Sequence, residues 1–172
     1  MELTRVDRCC ALVGYGPDKY PKSLDARSVA GENLQNRIFA ALHALIKQGV
    51  TDFYTALQMG FDILSAECVL ELGQSGHPVT LWCILPSEEQ ANGWPESWRG
   101  RYFDVLENCR AATYVDLHED KLGLRRAYRM ILDRCDHLIT DYSGLLDELS
   151  FAVEYAKERG IEVHTILHGE AT

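Results

Sequence analysis

Six short β-prone runs alternate with amphipathic helical patterns along this chain, and that alternation leaves few architectures open. CCALVG at 9–14 is a short apolar run ending in glycine, as a buried strand does. In the helical stretch at 32–49, Leu34, Ile38, Leu42, Leu45 and Ile46 recur at helical spacing, and Gly49 stops it. DFYTA at 52–56, HPVTLWCILP at 77–86, ATYVDL at 112–117, DHLITDYS at 136–143 and IEVHTIL at 161–167 read as the remaining strands. Between them lie helices from Met59 to Leu72 (Ile63, Ala66, Val69 and Leu70 on one side), at 98–110, at 124–135 and at 145–160. The last carries Leu146, Leu149, Val153 and Ala156 on one face. Parallel strands need crossover connections, and helices supply them. The pattern predicts an α/β fold: a three-layer α/β/α, Rossmann-like, doubly wound domain with a mainly parallel sheet of about six strands. With no linker, repeat or low-complexity segment, 1–172 is expected to be a single domain.

Bulk properties narrow the function. A net charge of −9 argues against a general nucleic-acid or anionic-membrane partner, since both reward a basic surface. Six scattered cysteines without a C-x-x-C pair read as reduced, structural residues. No apolar run approaches the roughly 20 residues that cross a bilayer, and no signal peptide is evident, so a cytoplasmic protein is expected. His43, His77, His118, His137, His164 and His168 fall on different elements without metal-ligand spacing, so neither a metal nor a cofactor is expected.

In doubly wound sheets ligands bind outside the carboxyl ends of the strands, at the switch point in strand order. The loops to inspect are therefore 14–31, 55–60, 86–98, 116–123 and 141–147. In FYTALQMGFD at 53–62, a strand feeds a helix whose first N–H groups and dipole suit an anion, making Thr55, Ala56, Gln58 and Gly60 candidates. Asp62 sits in that first turn and either competes for those N–H groups or caps them. Gly14, Tyr15 and Gly16 stand at the same sheet edge but lack the G-x-G-x-x-G dinucleotide fingerprint. Asp141, Ser143 and Gly144 end the fifth strand, where serine and acids suit a helix start.

Positive charge gathers in Arg99, Arg101, Arg125, Arg126, Arg129 and Arg134. A solvated helix face paired with acids explains most of it; Arg101 and Arg126 are the candidates for phosphate capture. Trp94, Trp98 and Tyr102 read first as packing residues. For acid–base chemistry only Glu148 and Asp62 are available, and sequence supplies neither with a partner.

Together these segments resemble the SLOG superfamily, the Rossmann-like group named for the DprA (Smf) and LOG proteins, and within it the YpsA-like branch of uncertain function. The branch's Gly-[His/Tyr]-x-Pro turn is matched by Gly14-Tyr15-Gly16-Pro17. Its second-strand motif is matched at Phe53, Thr55, Gly60, Asp62, Ala66 and Glu67, and its later motif at Asp133, Cys135 and Asp136. Pro86 ends the third strand as in that branch, and the likeness runs over residues 9–166. The departures bear on function. Ala56 replaces the usual glycine and Gln58 the usual alanine, which would narrow a pocket that needs close backbone approach. Ala127 and Tyr128 fall on the branch's Arg-Asn pair, and DYSGLLDE at 141–148 lacks the G-G-x-G-T loop of LOG-type phosphoribohydrolases.

The resemblance and the residues imply a binder of a nucleotide-like small molecule, a sensor or regulator more readily than an enzyme. The alternatives are a LOG-like N-glycosidic hydrolase acting on a nucleoside monophosphate, and a protein-interaction module anchored by Trp94 and Trp98. Homodimerisation is the ordinary expectation for such a domain.

Overall fold

The computed structural model describes residues 8–20, 28–145 and 147–166. Leu146 and His168, both considered above, and the middle of the 14–31 loop lie outside them. Strands β1 (Cys9–Leu12), β2 (Asp52–Thr55), β3 (Thr80–Ser87), β4 (Ala111–Asp116), β5 (His137–Thr140) and β6 (Glu162–Thr165) form one sheet in the order β4-β3-β2-β1-β5-β6. Every neighbouring pair is parallel. The helices are α1 (Val29–Lys47), α2 (Phe61–Gln74), α3 (Glu96–Asn108), α4 (Gly123–Leu132) and α5 (Glu148–Glu158). The fold is the Rossmann-like α/β architecture expected from the alternation. No helix among the described residues is long and apolar enough to cross a membrane.

Alternate residues of the buried strands feed two cores. Cys10, Leu12, Phe53, Leu81, Cys83, Leu85 and Ile139 pack under α1, α2 and α3. Ala11, Val13, Ile84 and Leu138 pack under α4 and α5. Helix α2 lies between α1 and α3, which explains why it is buried on nearly every side, from Phe61 through Leu72. The chain steps outward from β1 to β4 with α1–α3 on one face. It then returns across the other face through α4 and places β5 beside β1. The direction of winding reverses there, so the switch point falls between β1 and β5.

Element ends follow local chemistry. Helix α1 begins at Val29, three residues before the predicted stretch, because the Ser28 hydroxyl accepts the Gly31 N–H at 3.0 Å. Strand β3 runs through Pro86 to Ser87. A proline is tolerated there because β2 ends opposite Cys83, leaving the strand paired only with β4.

Candidate functional site

A crevice of about 390 Å³ opens at the switch point. Gly14 to Lys19 form one wall, Gln58 and Met59 another, Leu124 and Tyr128 of α4 a third, and Asp147 to Leu149 at the start of α5 close it. The volume falls in the range of small-molecule sites.

Two buried carboxylates hold the β1 wall in place. Asp62, fully buried, accepts the Gly14 N–H at 2.9 Å through Oδ1 and the Gln58 N–H at 3.2 Å through Oδ2. Asp141 accepts the next amide, that of Tyr15, at 2.9 Å, and its other oxygen accepts the Tyr20 hydroxyl. The Tyr15 hydroxyl in turn accepts the N–H groups of Ser143 at 3.0 Å and Leu145 at 3.3 Å. Burial pushes the Asp62 carboxyl up to about 8; the Gly14 and Gln58 amides oppose that shift, and nearby Asp141 adds to it. Burial also raises the Tyr20 phenol, with Asp141 contributing.

The two glycines tightest in this region serve protein contacts. A Cβ on Gly14 would lie 2.3 Å from the Phe61 ring and 2.5 Å from Asp141 Oδ1. Gly60 has φ +98°, and a Cβ there would lie 2.5 Å from the Tyr15 carbonyl oxygen. Phe61 donates its N–H to that same carbonyl at 3.0 Å. The N-terminus of α2, read above as an anion site, is thus covered by the β1 loop. Asp62 caps that loop rather than its own helix.

The remaining candidates separate into three groups. Gly14, Tyr15, Gly16, Gln58 and Glu148 line the crevice. Thr55, Ala56, Gly60, Asp62, Asp141, Ser143 and Gly144 lie behind or beside it; Thr55 and Ala56 are fully buried. Ala56 packs with Ala11, Ile84 and Tyr128, so its methyl group belongs to the core and not to the cavity wall. In that turn the left-handed residue is Leu57, φ +57°, whose N–H donates to Thr55 Oγ1.

Arg101 and Arg126 stand apart from the crevice. Arg101 forks onto Glu67, with Nε–Oε2 at 3.0 Å and Nη2–Oε1 at 2.5 Å, and lies over the Trp98 ring. Arg126 pairs with Asp120 at 2.9 Å. Arg125 and Arg129 share a face as the spacing predicts, and both sit over Phe151. Arg125 also pairs with Glu148 at 2.8 Å. Trp94 meets Tyr102 edge-on, the packing role expected of it.

The crevice lining is therefore acidic, with Asp18, Asp147 and Glu148 facing one lining cation, Lys19, among the described residues. Asp147 uses its carboxylate to accept the Leu149 N–H at 2.9 Å, completing a capping box with Ser150 at the α5 start. Lys19 was not among the sequence candidates. Its proximity to Pro17 in a 3-10 turn at the sheet edge is the signal that could have found it.

Fold and crevice together define a doubly wound Rossmann-like domain with its cavity at the switch point. The chain belongs to the YspA SLOG family, whose YpsA model matches residues 26–161. It is 32% identical over 122 residues to the UPF0398 protein BH1768 of Halalkalibacterium halodurans, covering 67% of this chain and 63% of that relative. Two solved structures share the fold at low identity. DNA processing protein A from Helicobacter pylori, described for its single-stranded DNA binding mode, matches with a TM-score of 0.62 at 12% identity, over 92% of this chain and 64% of that one. DNA processing protein A (DprA) from Streptococcus pneumoniae matches with 0.64 at 14% identity, over 95% and 51%.

One expectation is corrected by this likeness. The net charge of −9 argues against a general nucleic-acid partner, but the fold is shared with a protein that binds single-stranded DNA. Summed charge says nothing about where on a given fold a strand could lie, so the exclusion does not stand.

Proposed function

We propose that the switch-point crevice binds a nucleotide or nucleotide-derived small molecule and that the protein is a sensor or regulator without catalysis. The observation that carries this reading is the position of the cavity, at the carboxyl ends of β1 and β5 where the winding reverses. The lining suggests which part of the ligand goes where. Carboxylates accept hydroxyl donors, so Asp18, whose neighbours Asp147 and Glu148 are committed to the α5 cap and to Arg125, suits a ribose. Leu124 and Tyr128 offer an apolar wall for a base, and Lys19 offers a point charge to one phosphate.

The non-catalytic part rests on the two candidate acids. Glu148 is engaged by Arg125, and both oxygens of Asp62 accept backbone amides out of reach of a ligand. A second reading, single-stranded DNA, rests on the fold shared with the Helicobacter pylori protein.

Thermal shift and calorimetry with adenosine, AMP, ADP-ribose, NAD and a short single-stranded oligonucleotide test these readings side by side. A ligand at a hundredfold its Kd adds about 2.7 kcal/mol of stability. A shift with adenosine or AMP is expected; silence with every mononucleotide overturns the proposal, and a response to the oligonucleotide alone establishes the second reading. Release of ribose-5-phosphate from AMP would make the protein a hydrolase instead.

A further inference from the structure

We propose that His137, Glu162 and His164 form a binding site for a divalent transition-metal ion of the zinc or cobalt type, separate from the crevice. His137 opens β5 and is the register partner of Glu162, the first residue of β6. His164 follows two residues later, and the period of two puts it on the same sheet face as Glu162.

The donor atoms converge. His137 Nδ1 lies 3.1 Å from His164 Nε2 and 3.5 Å from Glu162 Oε2, and His164 Nε2 lies 3.9 Å from Glu162 Oε1. One donor atom from each residue falls within 4.8 Å of the other two. Ligands held about 2.0–2.1 Å from a tetrahedral ion stand roughly 3.3–3.4 Å apart, so an ion fits among these three with small rotamer changes.

The chemistry of the set points the same way. Two imidazoles and one carboxylate suit a borderline-soft divalent ion and leave one coordination position to water. His137 is only 2% exposed, and its other nitrogen, Nε2, has no hydrogen-bond partner among the described residues. Nδ1 is thus its one polar outlet, and that outlet faces the cluster. Glu162 is 64% exposed, which gives the ion a path from solvent. Bound there, the ion ties edge strand β6 to β5.

Tag-free full-length protein, stripped of metal, should be titrated with Co²⁺ and then Zn²⁺. One equivalent of Co²⁺ should give a visible d–d band without thiolate charge transfer, Zn²⁺ should abolish it, and Zn²⁺ should raise the Tm. His164→Ala and Glu162→Gln, which alter side chains reachable from solvent, should each weaken binding by more than about tenfold, the lower bound for loss of even an outer-shell partner. His118→Ala, at an exposed histidine paired with Glu89, should bind as the unaltered protein does. Failure to bind either ion, a thiolate charge-transfer band, equal binding by the His164 and Glu162 variants, or equal loss in His118→Ala would each overturn the assignment.

Discussion

Tyr15 and Asp141 hold each other's loops across the switch point. The Asp141 carboxylate accepts the Tyr15 N–H, while the Tyr15 hydroxyl accepts the N–H groups of Ser143 and Leu145 just beyond Asp141. Both side chains are buried, while the Ser143 and Leu145 amides belong to exposed residues that water can partly reach. Tyr15→Phe keeps the ring and leaves those two amides without their acceptor. The variant should lose about 0.5–1.5 kcal/mol in urea unfolding. An unchanged midpoint would show that the latch contributes nothing.

The glycine at the end of β1 should be irreplaceable for steric reasons. Gly14→Ala drives a methyl group into Phe61 and Asp141, neither of which has room to move, and should cost about 1–3 kcal/mol. Gly16→Ala meets Asp18 Oδ1 at 3.1 Å and the Met59 carbonyl oxygen at 3.9 Å, and should be much milder. Comparing the two Tm values checks the contrast; equal losses would refute it.

Asp62 should leave a signature in the pH dependence of stability. Its carboxyl is pushed up to about 8 in the folded protein, against about 3.9 for an unperturbed aspartate. The native state therefore binds this proton more tightly than the unfolded chain. Its stabilising contribution is complete below about pH 3.9, declines as pH rises, and is gone once pH passes about 8. Asp62→Asn cannot ionise, so the difference in unfolding free energy between the two proteins should change with pH across that window. A constant difference would place the Asp62 pKa elsewhere.

Lys19 and Arg101 should behave oppositely in ligand binding. Lys19→Ala should weaken AMP while sparing adenosine, because Lys19 lines the crevice and only AMP carries a phosphate. Arg101→Ala should leave both affinities unchanged and lower stability by roughly 1 kcal/mol, since its guanidinium is committed to Glu67 and Trp98. Calorimetry on the two variants decides it; loss of AMP binding in Arg101→Ala would return that arginine to the site.

Much of the fold was legible because each strand and helix carries its own periodicity. The strand order was not, and the site depends on it. Asp62 reads as a residue of its own helix start, and one partner, Gln58, is local; the other is Gly14, 48 positions earlier. In sequence Arg101 and Arg126 read as available charge, because Glu67 and Asp120 give no sign there of being their partners. Glu162 and His164 alternate on one face of β6, which sequence can show. That His137 stands opposite them requires the β5–β6 register, which it cannot.

The strand order also governs when the crevice comes into being. One wall follows β1 and another opens α5, so the cavity depends on contacts such as Tyr15 to Ser143, 128 residues apart. Such pairings are slow to form because a long loop must close before they are rewarded. A chain emerging from the ribosome can assemble β1 to β4 well before β5 and α5 exist. The binding surface is then among the last features completed, and occupancy of the crevice would distinguish a finished molecule from a partly folded one.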